Sequence, residues 1–235
     1  MMRLFHYRQS DARMRHFVHI EDWVAWTADS AFTIRSGHAL HERIGESVVP
    51  RLLRRRLDVT GRAACDAIAV LDNRKDQPLI HASRHGGVSS SLDMLQALQD
   101  GDPVSPGSFA MSVHNAVLGV YSIATQHRGP TLALGACGRE FDALVNEARG
   151  YLAGGQEAVI VLFSETEIPQ SIKPHTRYPA FPCLVALKLT SGGGSSPMND
   201  TSTAPACPTP LDVIRWLNED GAPRVSQQRG QLERT

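Results

Sequence analysis

Apolar residues along this chain fall into two alternating arrangements, short contiguous runs and longer stretches spaced at three and four residues. Phe17-Val18-His19-Ile20 followed by Trp23-Val24-Ala25-Trp26 has the β-branched and aromatic character of an opening strand, with a polar linker up to about Gly45. From Pro50 to Leu71, residues Leu52, Leu53, Leu57, Ala63, Ala64, Ala67, Ile68 and Leu71 recur at helical spacing. Arg51, Arg54, Arg55 and Arg56 fill the remaining face near its start, and Gly61 is the expected break between two helices.

Further on, Pro78 to Ser83 reads as a short buried strand ending at Gly86-Gly87. Ser89 to Asp100 reads as a helix with Leu92, Leu95 and Leu98 facing inward and Gly101 as its stop. A turn-rich stretch from Asp102 to Gly107 leads into a helix from about Val113 to Ala124. After the break at Arg128-Gly129-Pro130 come the strand Thr131 to Leu134 and a helix from about Gly138 to Leu152. Ala158 to Phe163 is a continuous apolar run, as a strand buried on both faces requires, and Cys183 to Leu189 is a last strand. Strands and helices alternating in this way predict a layered α-β-α domain of the α/β class. The expected organisation is one domain over residues 1–190, a flexible Ser/Gly/Pro linker over 191–210, and a short helix from Leu211 to Leu217 with a polar tail to 235.

Composition narrows the function classes. The chain has 235 residues, of which 42% are apolar and 20% charged, a range in which a single core forms. Lys plus Arg and Asp plus Glu both number 24, so no global field draws the protein to nucleic acid or an anionic bilayer. No apolar stretch has signal-peptide or bilayer-spanning length, and the expected location is the cytoplasm. The cysteines, Cys65, Cys137, Cys183 and Cys207, lack C-x-x-C pairing, which argues against a zinc site or a disulfide framework. His81 and His85 lack a third ligand nearby, and Gly86-Gly87 lacks the spacing of a phosphate loop, so neither metal nor nucleotide cofactor is expected.

The stretch from Asn115 to Cys137 carries the chemistry. It reads as a helix with small residues at Ala116 and Gly119, a tight turn, a buried strand, and a cysteine at the junction with the next helix. A thiol in such a place faces unpaired backbone N–H groups and the positive end of a helix dipole, which favour the nucleophilic thiolate. Nearby amides are equally suited to the oxyanion of a thioester under attack. A buried, chemically idle thiol is the competing assignment for Cys137. His114 is a weaker candidate as a base beside it, against a histidine simply packed with a satisfied hydrogen bond.

Arg128-Gly129-Pro130, Ala136-Cys137 and the small-residue helix beginning at Asn115 resemble the β-ketoacyl synthases of the thiolase superfamily. Blocks at 52–57, 82–86 and 112–116, with the helix from Pro210 to Leu217, resemble more closely the short β-ketoacyl synthase-like N-terminal domain proteins. Those chain-length-factor-like proteins are found with aryl polyene pigment pathways. The resemblance implies the N-terminal half of the thiolase-like (ketosynthase) fold, with Cys137 on the family's acyl-accepting nucleophile. Condensing enzymes of the family draw two histidines, or a histidine and an asparagine, from a C-terminal half that this chain ends before. Gly138-Arg139-Glu140 also departs from the small residues usual there.

The implied role is therefore an accessory, chain-length-factor-like subunit of type II fatty acid or aryl polyene-type polyketide synthesis, not condensing alone. Its implied partners are an acyl carrier protein and either a complete ketosynthase or a second copy, with Thr131 to Leu134 at the dimer axis. Arg54, Arg55 and Arg56 are candidates for meeting the carrier protein, against a plain solvated helix face. Two alternatives stay open: an acyl-transfer or condensing enzyme with Cys137 as thioester nucleophile completed by a partner chain, and a Cys137–His114 thioester hydrolase.

Overall fold

The computed structural model describes residues 17–136, 138–192, 207–219, 223–225 and 232–234. The two apolar blocks near residue 20 belong to one strand, β1 (Phe17–Thr27), which pairs antiparallel with β5 (Cys183–Gly192). The pairing slips between Ile20 and Asp22, leaving Glu21 as an inserted residue. Side chains alternate along a strand, so without this bulge Ile20 and Trp23 would face opposite sides. With it, Val18, Ile20, Trp23 and Ala25 all enter one core.

The sheet order is β3 (Thr131–Leu134), β2 (Leu79–Ala82), β4 (Ala158–Glu165), β5, β1, β6 (Pro223–Val225), β7 (Leu232–Arg234). β2 runs parallel to both β3 and β4, while β5 is antiparallel to β4 and β1. Every residue of β2 and β4 is buried, which accounts for their mostly apolar sequences, interrupted only by His81 in β2 and by Ser164 and Glu165 at the end of β4. Val159, Val161 and Phe163 face helices α7 (Glu140–Ala153) and α8 (Pro210–Asn218); Ile160 and Leu162 face α3 (Val59–Leu71) and α6 (Ala116–Thr125). The predicted three-layer α-β-α arrangement is what the chain adopts. α8 docks through Leu211, Val213, Ile214 and Leu217, held at its start by a capping box between Thr209 and Asp212. No helix among the described residues is long and apolar enough to cross a membrane.

Several element predictions need correction. The break in the 50–71 stretch falls before Asp58, between α2 (Arg51–Arg54) and α3, because Asp58 caps α3 by accepting from Gly61 N–H at 2.6 Å. Gly61 is thus inside the first turn of α3, and Leu52 is 78% exposed, not a core residue. A short helix, α1 (Leu40–Arg43), interrupts the linker that follows β1. α4 (Val88–Gln99) buries none of its residues; Leu92 is half-buried, and Leu95 and Leu98 are exposed, because its principal neighbour is another helix and not the sheet. That neighbour, α5 (Pro106–Ser112), starts at the end of the stretch expected to be turns and runs up to the residue where the next helix was expected, with Ser105 accepting from Ser108 N–H and Pro106 at the first helical position.

Helix α6 begins at Ala116 and not Val113, so His114 and Asn115 lie in a turn. Helix α7 begins at Glu140 because Gly138 has φ +106°, outside helical space. β5 extends through Ser191 and Gly192, which pair with Val18 and Phe17, so the linker starts later than expected. The rest of the predicted linker up to 206 lies outside the described residues. Within the tail, β6 and β7 extend the sheet beyond β1.

Candidate functional site at the carboxyl ends of β2 and β3

β2 is followed by helices leading to α6 on one face of the sheet, and β3 by α7 on the other. Adjacent parallel strands whose connections part in this way open a crevice beyond their carboxyl ends, the usual ligand position in an open α/β sheet. Here the crevice lies between the loop after β2, Ser83 to Gly87, and the loop after β3, Gly135 to Gly138. Cys137 belongs to this second loop by sequence and lies outside the described residues.

The half-buried imidazole of His114 comes close to both loops. A methyl group at Gly86 would stand 2.8 Å from His114 Cε1, and one at Gly135 would stand 3.5 Å from Nε2. Gly86 also has φ +51°, so its lack of a side chain serves both the backbone and the ring. Gly87 comes equally close to the turn before α6, where a methyl group would meet Ser112 O at 2.8 Å. The Gly86-Gly87 pair is thus a packing device that lets the α5–α6 turn reach the end of β2.

A polar network that sequence reasoning missed links the two loops. Glu140, fully buried at the start of α7, accepts from Gly138 N–H at 2.7 Å and from Arg84 Nη2 at 3.1 Å. Burial alone would raise its pKa, but the Gly138 N–H and the Arg84 guanidinium outweigh that and hold it below the usual carboxylate range. Arg84 Nη1 also donates to the carbonyl of Arg177. Glu165, at the end of β4, accepts from the backbone N–H of Arg84 and pairs with His85 Nδ1 at 2.8 Å; His85 Nε2 meets Thr176 Oγ1 at 2.9 Å. One legible signal was the charged pair Arg84-His85 directly after an apolar strand. The partners, at 140, 165 and 176, are too distant in sequence to be read from it.

Deeper in, His81 on β2 pairs through Nε2 with Ser164 Oγ at 2.8 Å. Burial pushes its pKa down to about 4, opposed by the nearby His114 backbone, so the ring is neutral at physiological pH. Arg54, Arg55 and Arg56 are exposed near α2, and among the described residues their guanidiniums have no ion-pair or hydrogen-bond partner. Arg56 alone of the three reaches a cleft that His114 also lines.

The Arg128-Gly129-Pro130 turn sits at the opposite end of β3. A methyl group at Gly129 would come within 2.3 Å of Asp76 O, so the turn packs backbone to backbone on the loop before β2. Beside it, buried Asp72 accepts from Tyr121 OH at 2.8 Å and pairs with His127 Nδ1 at 2.9 Å. Burial, and then Asp72, raise the Tyr121 phenol well above its ordinary pKa. This cluster anchors the loops at the amino end of the sheet, away from the crevice.

A groove of about 350 Å³ runs along the outer edge of β3, lined by His114, Asn115, Leu118 and Thr131 to Ala133. β3 is the terminal strand of the sheet, and its outer backbone pairs with no strand among the described residues. Leu95, Leu98, Phe109, Val113 and Ile123 are exposed on the neighbouring elements, from α4 through α5 to α6.

Comparison with known proteins agrees with this architecture. The family model of the β-ketoacyl synthase N-terminal domain matches residues 23–229. Among solved structures, one chain of the ketosynthase ApeO in complex with its chain length factor ApeC from Xenorhabdus doucetiae superimposes with a TM-score of 0.70 at 24% identity. The match covers 92% of this chain and 97% of that one. The ishigamide ketosynthase/chain length factor matches with a TM-score of 0.55 at 16% identity over 76% of this chain and 63% of that one. A β-ketoacyl synthase from Burkholderia phymatum STM815 matches at 0.51 and 14%, over 76% of this chain and 60% of that one. The chain therefore spans nearly the whole of the first relative but only about three fifths of the other two. No curated protein matches it significantly. With the family match running through most of its length and the three-layer fold in agreement, the chain belongs to the β-ketoacyl synthase N-terminal domain family.

Proposed function

We propose that this protein is an accessory, chain-length-factor-like subunit that pairs with a complete ketosynthase in type II fatty acid or aryl polyene-type polyketide synthesis and does not condense acyl chains alone. The observation that carries this reading is the outer edge of β3, unpaired among the described residues, with its groove and the exposed apolar residues leading to it. An open strand edge bordered by apolar surface is a liability in isolation, and pairing with another chain relieves it. The near-equal length shared with a chain of the ApeO–ApeC complex supports the same role.

The chemistry of the crevice supports the non-condensing part. Among the described residues, both nitrogens of His85 are engaged, and Glu140 already takes the Gly138 amide that an oxyanion or thiolate would need. A buried carboxylate at that position replaces the anion-stabilising field expected at the start of the helix. Arg54, Arg55 and Arg56, exposed and without an ion-pair partner among the described residues, suit docking of an acidic acyl carrier protein.

The test is incubation with acyl-loaded carrier protein, with and without the ketosynthase, followed by intact mass spectrometry. The expected result is no adduct on Cys137 and unchanged product output from the pair carrying Cys137→Ala. A stable acyl-thioester on Cys137, together with loss of output in a folded Cys137→Ala variant, would show a transfer enzyme instead.

A further inference from the structure

His85, in the loop after β2, stands between Glu165, the last residue of β4, and Thr176, which follows a single helical turn at Lys173–His175. Its Nδ1 is 2.8 Å from Glu165 Oε2 and its Nε2 is 2.9 Å from Thr176 Oγ1. A carboxylate only accepts, so in the neutral ring the proton sits on Nδ1 and the lone pair of Nε2 faces the Thr176 hydroxyl. Glu165 is fixed in its turn, because its other oxygen accepts from the Arg84 backbone N–H. A competing acceptor for the hydroxyl, the carbonyl of Arg177, is 3.5 Å away, at the limit of a hydrogen bond.

Burial is graded along this line. The Glu165 side chain is 3% exposed and that of His85 9%, while Thr176 is half-buried. A relay that acts on an outside molecule needs this order: a dry carboxylate, a sheltered base and an accessible hydroxyl. The Arg84 guanidinium, which donates through Nη1 to the carbonyl of Arg177, brings a positive charge to the residue next to the hydroxyl. Such a charge suits the negative oxygen that forms when a carbonyl is attacked.

We infer that Thr176, His85 and Glu165 form a nucleophile, base and carboxylate triad that hydrolyses activated acyl compounds, namely thioesters and aryl esters. Thr176 Oγ1 attacks the acyl carbon while its proton passes to His85 Nε2, and Glu165 holds the resulting imidazolium. The bond from carbon to sulfur or aryl oxygen breaks, and the departing thiolate or phenolate takes that proton from Nε2. Water then attacks the Thr176 ester and gives a proton to Nε2, and the free acid leaves as Thr176 Oγ1 recovers it. The methyl group on the Thr176 Cβ crowds the hydroxyl, so the good leaving groups of thioesters and aryl esters suit it and amides do not. This activity goes beyond the accessory role proposed above and does not rest on it, since it uses neither Cys137 nor the outer edge of β3.

The test gives the full chain p-nitrophenyl acetate and, separately, S-acetyl-N-acetylcysteamine, with peptide mass spectrometry on samples quenched in acid. Turnover of both above the buffer rate is expected, with an acetyl group on Thr176. Thr176→Val keeps the shape and removes the hydroxyl, so it should lower kcat/KM at least about a hundredfold with a melting temperature close to the parent's; His85→Gln should lower it similarly. Thr176→Ser should retain or raise the rate, and Cys137→Ala should leave it at the parent value. No turnover above buffer, an acetyl group confined to other residues, or equal rates in the parent and Thr176→Val would overturn the inference. Loss of turnover in a folded Cys137→Ala variant would overturn it as well.

Discussion

Glu140 ties three segments of the crevice together, because its carboxylate joins Gly138 to Arg84, and Arg84 in turn reaches the Arg177 carbonyl. Removing one member of a buried ion pair leaves the other uncompensated, so Glu140→Gln should destabilise the fold by about 3 kcal/mol in chemical denaturation at pH 7. Two acid windows are also separable. The pKa of His81 falls from 6.5 to about 4 on folding, so the folded state resists a proton that the unfolded chain accepts. Stability from this residue is complete above about pH 6.5 and drains away as pH falls toward 4, by at most about 3 kcal/mol. Glu140 acts lower, its contribution being lost as pH falls below the ordinary carboxylate value through its depressed pKa. Denaturation of His81→Leu at pH 7 and pH 4.5 should show a flatter loss than the parent; an unchanged slope would remove His81 as the cause. The sequence drew attention to both residues but could not show their partners, since Arg84 and Glu140 are 56 positions apart and His81 meets Ser164 across 83.

The elements that sequence patterning located correctly are those buried on the sheet. β2, β4, α3 and α7 show mostly apolar runs or helical spacing because each packs on a layer that demands it. The misreadings share a cause: apolar residues do not announce what covers them. Leu95 and Leu98 have the spacing of a core stripe, yet α4 rests mainly on α5 and leaves them in solvent. The bulge at Glu21 hid in a different way, since it converts an odd spacing into one continuous face. Exposure of Leu98 and Ile123, at 59% and 70%, leads to a distinct expectation. Leu98→Gln and Ile123→Gln should change the stability of the isolated chain by no more than about 0.5 kcal/mol, while weakening partner association measurably in calorimetry. A large stability loss in either variant would mean that the side chain is already covered within this chain.

Taken as a molecule, the protein is a sheet with one end lengthened by its own tail and the other left open. β6 and β7 extend the sheet beyond β1, whereas β3 is the other terminal strand, its outer backbone meeting no strand among the described residues and lying next to a groove of about 350 Å³. The α-β-α layering and the family were legible because the matching blocks are spread along the chain. The asymmetry between the two ends was not, because it depends on the sheet order and on a tail that reads as merely polar. Native mass spectrometry of the chain co-expressed with a complete ketosynthase from the same host tests the proposed role most directly. The account predicts a one-to-one heterodimer that dissociates when Leu132 in β3 is replaced by Asp. A chain that stays apart from the ketosynthase, or a complex indifferent to that substitution, would contradict it.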